Sequence, residues 1–274
     1  MGTEPSLQPT EPLDDAGWQV PAFDVVEFCP RRTTYCVCVP VINEGERIAR
    51  QLAKMQPMAD LADILLLDGG STDGSMDRER LEPRGVRALL TKHGPGRLSA
   101  QLRMGYAWAL RQGYQGIVTI DGNDKDGPEA LPRFLHELDD GADLVQGSRF
   151  LRGGRAINTP RGRLLAIRLL HAPLVSLGAS QWFTDTTNGF RGYSRRMLLD
   201  PRVQPFRDVF SAYELLAYLS VRPPRLGFRC CEVPVVRAYP ANAPVPTKIA
   251  GWRGSLGLLQ TLLAALRGDF NPTP

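Results

Sequence analysis

The chain has 274 residues, 43% of them hydrophobic and 23% charged, which is enough for one substantial α/β domain or two small ones with a buried core. No apolar run reaches the roughly 18 residues that cross a bilayer, and the N-terminus lacks a secretory signal pattern. A membrane-spanning or secreted protein is therefore not expected.

The charge is distributed unevenly. Residues 1–28 contain six acidic residues and no Lys or Arg, so the other 246 residues carry 33 basic against 23 acidic side chains, a charge of +10. We expect residues 1–30 to be a disordered acidic tail and the rest to bind an anionic partner. No basic stripe with interleaved aromatic residues indicates nucleic acid. The five cysteines fit neither a disulfide framework nor a zinc site, which favours reduced thiols and a cytoplasmic protein.

Apolar periodicity predicts alternating strands and helices from residue 35 onward. Five strands are predicted, at Tyr35–Val41, Asp63–Leu67, Val86–Leu90, Gly116–Ile120 and Asp143–Gln146. Helices are predicted at Glu44–Gln56, Leu98–Leu110, Glu129–Leu138 and about 161–178, 211–220 and 252–266, with a further strand at Cys230–Val236. This rhythm predicts an α/β fold with a mostly parallel central sheet and helices on both faces.

Each of the five strands is followed by a polar or Gly-rich segment. In an open parallel sheet these segments meet at the carboxyl edge, where ligands bind. Carboxylates and cations around Gly-rich turns suit a nucleoside diphosphate. A redox dinucleotide is disfavoured because no G-x-G-x-x-G turn follows the first strand, and a Walker A loop is absent. Asp121, which ends the fourth strand before Gly122, is the pivotal carboxylate.

An ordered set of short motifs carries a family resemblance. These are Val39–Glu44, Asp68–Gly74, Asp121–Pro128, Gly147–Phe150, Asp185–Arg191 and Glu232–Pro234. Over about residues 35–248 the chain resembles family 2 glycosyltransferases of the GT-A fold, in the dolichyl- or polyprenyl-phosphate mannosyltransferase branch. The resemblance implies inverting transfer of a sugar from a GDP- or UDP-linked donor, with the nucleoside diphosphate leaving.

The resemblance, together with the polar segments after the strands, gives expected roles for individual residues. Nucleotide-sugar binding is expected of Pro40, Asn43, Glu44, Asp68, Lys92, Arg97, Asp121, Gly122 and Asn123. Acceptor binding is expected of Arg149, Arg163, Asn188, Arg191, Glu214 and Lys248. Catalytic roles are expected of Asp121, Lys125, Arg149 and Asp185, with Asp185 and Glu214 as candidate bases for a hydroxyl acceptor. Asp121 and Asn123 are the expected ligands of Mg²⁺ or Mn²⁺.

The chain departs from the family's metal motif. Asn123 stands where the family has its second acid, and Lys125 stands where the branch commonly has Gln. A hard cation prefers carboxylates, and an ammonium group among the ligands opposes binding. Either Asp124 or Asp126 supplies the missing charge to a retained metal, or Lys125 partly replaces the metal.

The expected domain order is a tail (1–30), a single GT-A domain (31–250) and a C-terminal helix and tail (251–274). Residues 31–150 form the nucleotide-sugar half of the domain and 151–250 the acceptor half. The expected acceptor is a polyprenyl phosphate or another lipid or glycan. The alternatives are a soluble hydroxyl acceptor, a catalytically impaired nucleotide-sugar-binding relative, or a sugar-1-phosphate nucleotidyltransferase. The terminal helix either packs on the domain or rests peripherally on the inner face of the membrane.

Overall fold

A computed structural model describes residues 13–240 and 251–273, with the backbone alone for 251–255. Ten strands are present in these ranges: β1 Phe23–Glu27, β2 Tyr35–Val41, β3 Asp63–Asp68, β4 Val86–Lys92, β5 Gly116–Thr119, β6 Leu144–Ser148, β7 Arg155–Ile157, β8 Arg191–Ser194, β9 Cys230–Pro234 and β10 Val236–Ala238. Eight of them form one sheet in the order β1-β4-β3-β2-β5-β8-β6-β9, and β10 pairs with β7.

The central strands bring their carboxyl ends to one edge. β2, β3, β4 and β5 pair in parallel. β8 is antiparallel to both β5 and β6, so β6 runs in the same direction as the first four strands. The loops that follow these five strands therefore meet at the same edge of the sheet.

Helices cover both faces of the sheet. They are α1 Glu46–Met55, α2 Arg78–Leu81, α3 Leu98–Arg111, α4 Leu131–Asp139, α5 Arg161–Ala166, α6 Ala172–Ala179, α7 Arg195–Leu199, α8 Glu214–Arg225 and α9 Gly251–Arg267, and a π-helical turn, Ile167–His171, joins α5 to α6. Alternate residues of β2 enter different cores. Cys36 and Cys38 pack on the α3 and α8 side, while Val37 and Val39 pack on the α1 and α4 side. Burial on both faces explains why this strand is apolar throughout.

The predicted α/β class with a mostly parallel sheet is confirmed, and the five predicted strands lie within two residues of the observed ones. The sequence did not indicate β8, which is four residues long and contains Arg191 and Gly192. β8 inserts between β5 and β6 and gives the sheet two antiparallel pairings there. Gly192 faces Val145, Phe134 and Leu138, so the close packing in this region depends on the absence of a side chain.

The prediction of a disordered tail over residues 1–30 is wrong for its second half. Residues 1–12 lie outside the described residues, but Phe23–Glu27 forms β1, an edge strand antiparallel to β4. Upstream of it, Trp18 stacks on Phe206 with a ring-centroid distance of 3.9 Å. The charges that suggested disorder are paired: Asp15 with Arg111, and Glu27 with the buried Arg87.

The structure also bears on the predictions about the cysteines, membrane-spanning helices and the terminal helix. All five cysteines are free thiols, and Cys36 and Cys38 are buried. Within the described ranges, no helix is both long enough and apolar enough to cross a membrane. The terminal helix α9 packs on the domain, where it buries Leu262 and Ala265.

Replacement of Trp18 by Ala tests whether the N-terminal segment is part of the fold. We expect Trp18→Ala to lower the free energy of unfolding by about 2 kcal/mol, less than for a fully buried tryptophan, because stacking on Phe206 is lost. The control is Trp182→Ala at a 70% exposed position, with a change within about 0.5 kcal/mol. Urea unfolding measures both. Equal effects would contradict the packing of this segment.

Candidate active site

A cleft of about 1630 Å³ opens at the carboxyl edge of the sheet. Its first part is polar and is formed by the loops that follow β2, β4 and β5. Its second part is apolar and lies between α6 with the preceding π turn, α8 and α9, where Ile167, Val175, Leu216 and Leu259 line it. One cleft therefore joins a charged compartment to an apolar one.

The loops after β2 and β3 are joined by hydrogen bonds. The Asn43 backbone N–H donates to Ser71 Oγ (2.9 Å), and Asn43 Oδ1 accepts from the Thr72 backbone N–H (2.8 Å). The buried Asp68 carboxylate accepts from Ser71 N and Oγ, at 2.9 and 2.6 Å. Neither Asn43 nor Asp68 lines the cleft. The side chains of Asn43 and Asp68 therefore hold the two loops together, and their ligand contacts stay predictions.

Other predicted nucleotide-sugar residues do line the cleft. Pro40, Glu44 and Gly122 form part of its wall. A Cβ on Gly122 would lie 2.5 Å from Val41 Cγ1 and 3.1 Å from the Pro40 carbonyl oxygen, so a glycine is needed for this close approach. Glu44 is paired with Arg47 (2.8 Å). The binding roles of these residues stay predictions.

Two cations predicted to bind the nucleotide sugar, Lys92 and Arg97, line the polar part of the cleft. Lys92 is buried at the end of β4 and its Nζ donates to the carbonyl oxygens of Gly94 (2.6 Å) and Pro95 (3.3 Å). Burial lowers its pKa. Arg97 is exposed at the N-terminus of α3. Both positive charges therefore lie where an anionic ligand in the cleft could reach them.

Asp121 lies in the floor of the cleft with 25% of its side chain exposed. The Asn123 amide donates to its Oδ2 (3.4 Å). The loop before β8 approaches from the other side, since a Cβ on Gly189 would lie 2.7 Å from Asp121 Oδ1. Asp121, Gly122 and Asn123 all line this part of the cleft, and their binding roles stay predictions.

Arg237 on β10 binds this carboxylate and a second one. Its Nη2 donates to Asp121 Oδ2 (2.9 Å) and its Nη1 to Asp126 Oδ2 (2.5 Å). Burial disfavours the charge of Arg237, but Asp126 and Asp121 outweigh burial and raise its pKa. Burial likewise opposes ionisation of Asp121, but Arg237 and Lys125 hold its pKa below the ordinary value. The site therefore contains a tightly paired, largely buried charge cluster.

Asp124 does not supply the charge that the metal motif lacks. Its carboxylate points away from the cleft and pairs with Arg50 (2.9 Å) and Lys54 (2.6 Å). Asp126 is fully buried beneath Arg237 and does not line the cleft. Of the carboxylates that follow β5, Asp121 alone reaches the cleft wall.

These residues do not fit Mg²⁺ or Mn²⁺. Asn123 Oδ1 and Asp126 Oδ1 are buried acceptors that lack a partner among the described residues, as a cation would require. However, Asp121 and Asp126 already bind one guanidinium group, and Lys125 adds a second positive charge beside Asp121. A divalent ion needs hard oxygen ligands in place of these cations. Within the described ranges, no three His, Cys, Asp or Glu side chains are placed to hold a metal.

Arg149 and Asp185 form a buried, bidentate ion pair. Arg149 Nε and Nη2 donate to the two Asp185 oxygens at 2.6 and 2.8 Å, with 1% and 0% of the side chains exposed. The Arg149 and Thr187 backbone N–H groups also donate to this carboxylate. Asp185 therefore has no oxygen free to accept a proton from an acceptor. The prediction that it is a general base is replaced by a positioning role for Arg149, which lines the cleft.

Glu232, at the start of the Glu-Val-Pro motif, fixes the same loop. Its carboxylate accepts from the Thr184 and Asp185 backbone N–H groups and from Thr184 Oγ1, at distances of 2.9–3.1 Å. Burial raises its pKa despite these bonds. Glu232 thus sets the position of the Asp185–Asn188 segment against β9.

Arg191 and Glu214 were both expected to bind the acceptor, and of the two only Arg191 lines the cleft. Arg191 is buried, and it donates to the carbonyl oxygens of Asn188 (3.0 Å), Leu216 (2.8 Å) and Thr186 (2.9 Å) and to Ser220 Oγ (2.9 Å). Glu214 accepts from the Ala212 backbone N–H (2.6 Å) and does not line the cleft. Both residues position backbone, and Glu214 is not placed to act as a base.

Asn188, Arg163 and His171 line the acceptor side of the cleft. Asn188 Oδ1 accepts from the Phe190 backbone N–H (3.1 Å), and Arg163 Nη1 donates to the hydroxyl of Tyr239 (2.9 Å). His171 Nδ1 is 2.7 Å from Thr186 Oγ1. Burial, with Arg191 nearby, lowers the pKa of His171 to about 4, so it is neutral at physiological pH. Lys248 lies outside the described residues.

Sequence reasoning missed Arg237 and Tyr239. The signal for Arg237 was a single cation just beyond the apolar stretch Val233–Val236, where a short strand would otherwise be uncharged. Tyr239 lies two residues further on and faces three cations, with Lys125 Nζ 5.3 Å from its ring centroid. Neither residue can be assigned to the Asp121 site without the pairing of β10 to β7.

Comparison with known proteins identifies the class and the family. The fold is that of GT-A glycosyltransferases: a solved glucosyl-3-phosphoglycerate synthase from Mycobacterium tuberculosis, in complex with Mn²⁺, uridine diphosphate and phosphoglyceric acid, superposes with a TM-score of 0.60. The two are 20% identical, and the match covers 85% of this chain and 78% of the other. The model of Glycosyl transferase family 2 matches residues 36–200, and the chain belongs to this family.

Curated relatives are similar over most of the chain. An undecaprenyl-phosphate mannosyltransferase of Micrococcus luteus is 31% identical over 203 residues, which cover 72% of this chain and 80% of the relative. A polyprenol monophosphomannose synthase of Mycolicibacterium smegmatis is 31% identical over 206 residues, covering 73% and 75%. The predicted resemblance to the polyprenyl-phosphate mannosyltransferase branch is confirmed, and the protein is a family 2 glycosyltransferase.

Asp185→Asn tests the positioning role of the buried ion pair. We expect it to lower the free energy of unfolding by about 3 kcal/mol or more, because Arg149 would remain charged and buried without a full partner. Asp200→Asn, which breaks the exposed pair with Arg202, is the matched control and should have a much smaller effect. Thermal and urea unfolding measure both. An Asp185→Asn protein of wild-type stability would refute the role.

Proposed function

We propose that this protein is an inverting glycosyltransferase that moves a sugar from a nucleoside-diphosphate sugar to a polyprenyl phosphate. One observation carries the proposal: a cleft rich in cations continues into an apolar compartment, and its described carboxylates, Glu44 and Asp121, are both ion-paired. A site of this kind suits two phosphate-bearing ligands, one of which has a hydrocarbon chain.

The donor proposal depends on the polar part of the cleft. Lys92, Arg97 and Lys125 line the wall formed by the carboxyl ends of the strands, where they can neutralise a diphosphate. The solved neighbour from Mycobacterium tuberculosis contains uridine diphosphate. A GDP-linked and a UDP-linked donor both meet these requirements.

The acceptor proposal depends on the absence of an uncommitted carboxylate base among the described residues of the cleft. A hydroxyl acceptor must lose a proton to a general base, whereas a lipid phosphate is already an anionic nucleophile. Asp185 and Glu214 are committed to Arg149 and to a backbone amide, respectively. In the proposed reaction an acceptor phosphate oxygen attacks the anomeric carbon, and the bond to the β-phosphate oxygen breaks with its electron pair going to the nucleoside diphosphate. The curated relatives are named an undecaprenyl-phosphate mannosyltransferase and a polyprenol monophosphomannose synthase, which supports this acceptor class.

A peripheral membrane contact through α5, the π turn and α6 fits this acceptor. Leu169, Leu177 and Trp182 are 73%, 82% and 70% exposed, and the exposed Arg161 and Arg168 lie on the same segment. Apolar side chains beside arginines are typical of surfaces that rest on anionic lipid. Leu170 is half-exposed and also lines the cleft, so this surface is continuous with the apolar compartment.

A donor screen with and without undecaprenyl phosphate tests the proposed reaction. We expect nucleotide release from one GDP- or UDP-sugar that requires the lipid phosphate and yields a glycosylated lipid. Asp121→Asn should reduce the rate by about 100-fold or more, because it weakens the cluster that faces the leaving group. Asp124→Asn, which changes a carboxylate turned away from the cleft, should retain the rate.

Three results would contradict this reaction. Transfer to a soluble phosphorylated or hydroxyl acceptor with no response to the lipid would overturn the acceptor assignment. Nucleotide binding without turnover of any donor would favour an impaired relative. An unchanged rate in Asp121→Asn would remove Asp121 from the catalytic site.

Vesicle binding tests the membrane contact. The double variant Leu169→Asp with Leu177→Asp should bind vesicles of phosphatidylglycerol and phosphatidylcholine about 10-fold or more weakly, because two exposed leucines can no longer insert. Leu61→Asp, at a 46% exposed position in the turn before β3, is the control and should bind like the wild type. Co-sedimentation measures the affinity. Equal binding by all three proteins would refute the assignment of this surface.

A further inference from the structure

Arg237 occupies the place where the metal motif of the sequence led us to expect a divalent cation. It binds Asp121, the first acid of that motif, and Nη1 also lies 3.4 Å from Asn188 Oδ1 in the loop before β8. Arg237 and Lys125 both line the cleft. Two fixed positive charges therefore lie beside Asp121 at the cleft wall.

The charges balance without a metal ion. Asp121 and Asp126 provide two negative charges, and Arg237 and Lys125 provide two positive ones. Burial and the charge of Arg237 lower the pKa of Lys125. A divalent cation added to this cluster would face both cations at close range and would find Asp126 covered by the guanidinium group. A metal ion could bind Asp121 and Asp126 through the oxygens that Arg237 now holds only if Arg237 left.

Asp126 and Tyr239 hold Arg237 in place. Its Nη1 donates to Asp126, whose side chain is fully buried. Among the described residues, Asp126 makes no hydrogen bond to another charged side chain. Tyr239 lies on the same short strand end, with its ring centroid 5.3 Å from Lys125 Nζ and 5.9 Å from the Arg237 guanidinium carbon. Asp126 and Tyr239 thus hold both cations at the cleft while Asp121 remains partly exposed.

We propose that Arg237 and Lys125 form part of the diphosphate-binding site and stabilise the leaving nucleoside diphosphate in place of a metal ion. The inference rests on the proposed function. When the bond between the anomeric carbon and the β-phosphate oxygen breaks, its electron pair goes to that oxygen, and the guanidinium and ammonium groups offset the new charge. Because Arg237 Nη1 and Nη2 already donate to Asp126 and Asp121, the guanidinium group acts on the diphosphate through its fixed positive charge. The step consumes no other reactant.

Metal removal is the first test. The wild-type protein, freed of metals and assayed in EDTA, should bind GDP or UDP by calorimetry with an affinity within about 2-fold of that measured with Mn²⁺. Nucleotide release from the active donor should likewise persist in EDTA. Mn²⁺ titration followed by electron paramagnetic resonance should show no stoichiometric binding to the nucleotide complex.

Paired substitutions form the second test. Asp126→Asn with Arg237→Met removes the guanidinium group together with the fully buried carboxylate, so that only the partly exposed Asp121 loses a partner, and it should weaken nucleotide binding in EDTA by about 10- to 100-fold. The matched control, Asp200→Asn with Arg202→Met, removes an exposed pair outside the cleft and should bind like the wild type. The single variant Arg237→Met exposes two carboxylates, and its nucleotide binding should become dependent on Mn²⁺.

The outcomes separate this inference from the proposed function. Loss of wild-type nucleotide binding in EDTA with recovery in Mn²⁺, or wild-type affinity in the folded Asp126→Asn with Arg237→Met protein, would overturn the inference. Metal-independent nucleotide binding without turnover of any sugar donor would overturn the proposed function and leave the inference intact. No binding of either nucleotide under any condition would overturn both.

Discussion

The ion cluster at Arg237 is the interaction on which the site depends. One guanidinium group joins the end of β5 at Asp121, the following turn at Asp126 and the loop before β8 at Asn188. Buried charges are tolerated only when they are paired and hydrogen-bonded, so these segments are held in one arrangement. The cleft floor is therefore fixed by charge pairing as much as by apolar packing.

The acceptor side follows the same rule with other residues. Glu232 accepts hydrogen bonds from the backbone at Thr184 and Asp185, and the Arg149–Asp185 pair lies just beyond. Arg191 donates hydrogen bonds to carbonyl oxygens of the loop and of α8. These polar side chains are buried and hydrogen-bonded, and their donors and acceptors are used to hold backbone. The family motifs in this half of the chain consequently describe how the wall is built, while the cations that line it determine which ligands it suits.

The sequence predicted the elements whose patterns are local. The strands from Tyr35 to Gln146 are apolar runs, and Asp121 was identified because a strand ends there before a glycine. The fold and the family membership could be predicted from these runs and their motifs. β1 was missed because an edge strand leaves Val25 and Val26 partly exposed beside acidic residues. The role of Asp185 was misjudged because its partner, Arg149, is 36 residues away in the chain.

The sequence by itself determined the polar edge of the sheet, since the strands and the polar segments that follow them are encoded locally. Tertiary structure alone decided which charges meet. Asp121 and Arg237 are separated by 116 residues and come together because β10 pairs with β7 beside the turn at Asp126. Electrostatic pairing depends on distance and burial in three dimensions, which a linear pattern does not contain. The sequence shows that Asn123 and Lys125 depart from the family's metal motif. Only the tertiary structure shows that Arg237 binds Asp121.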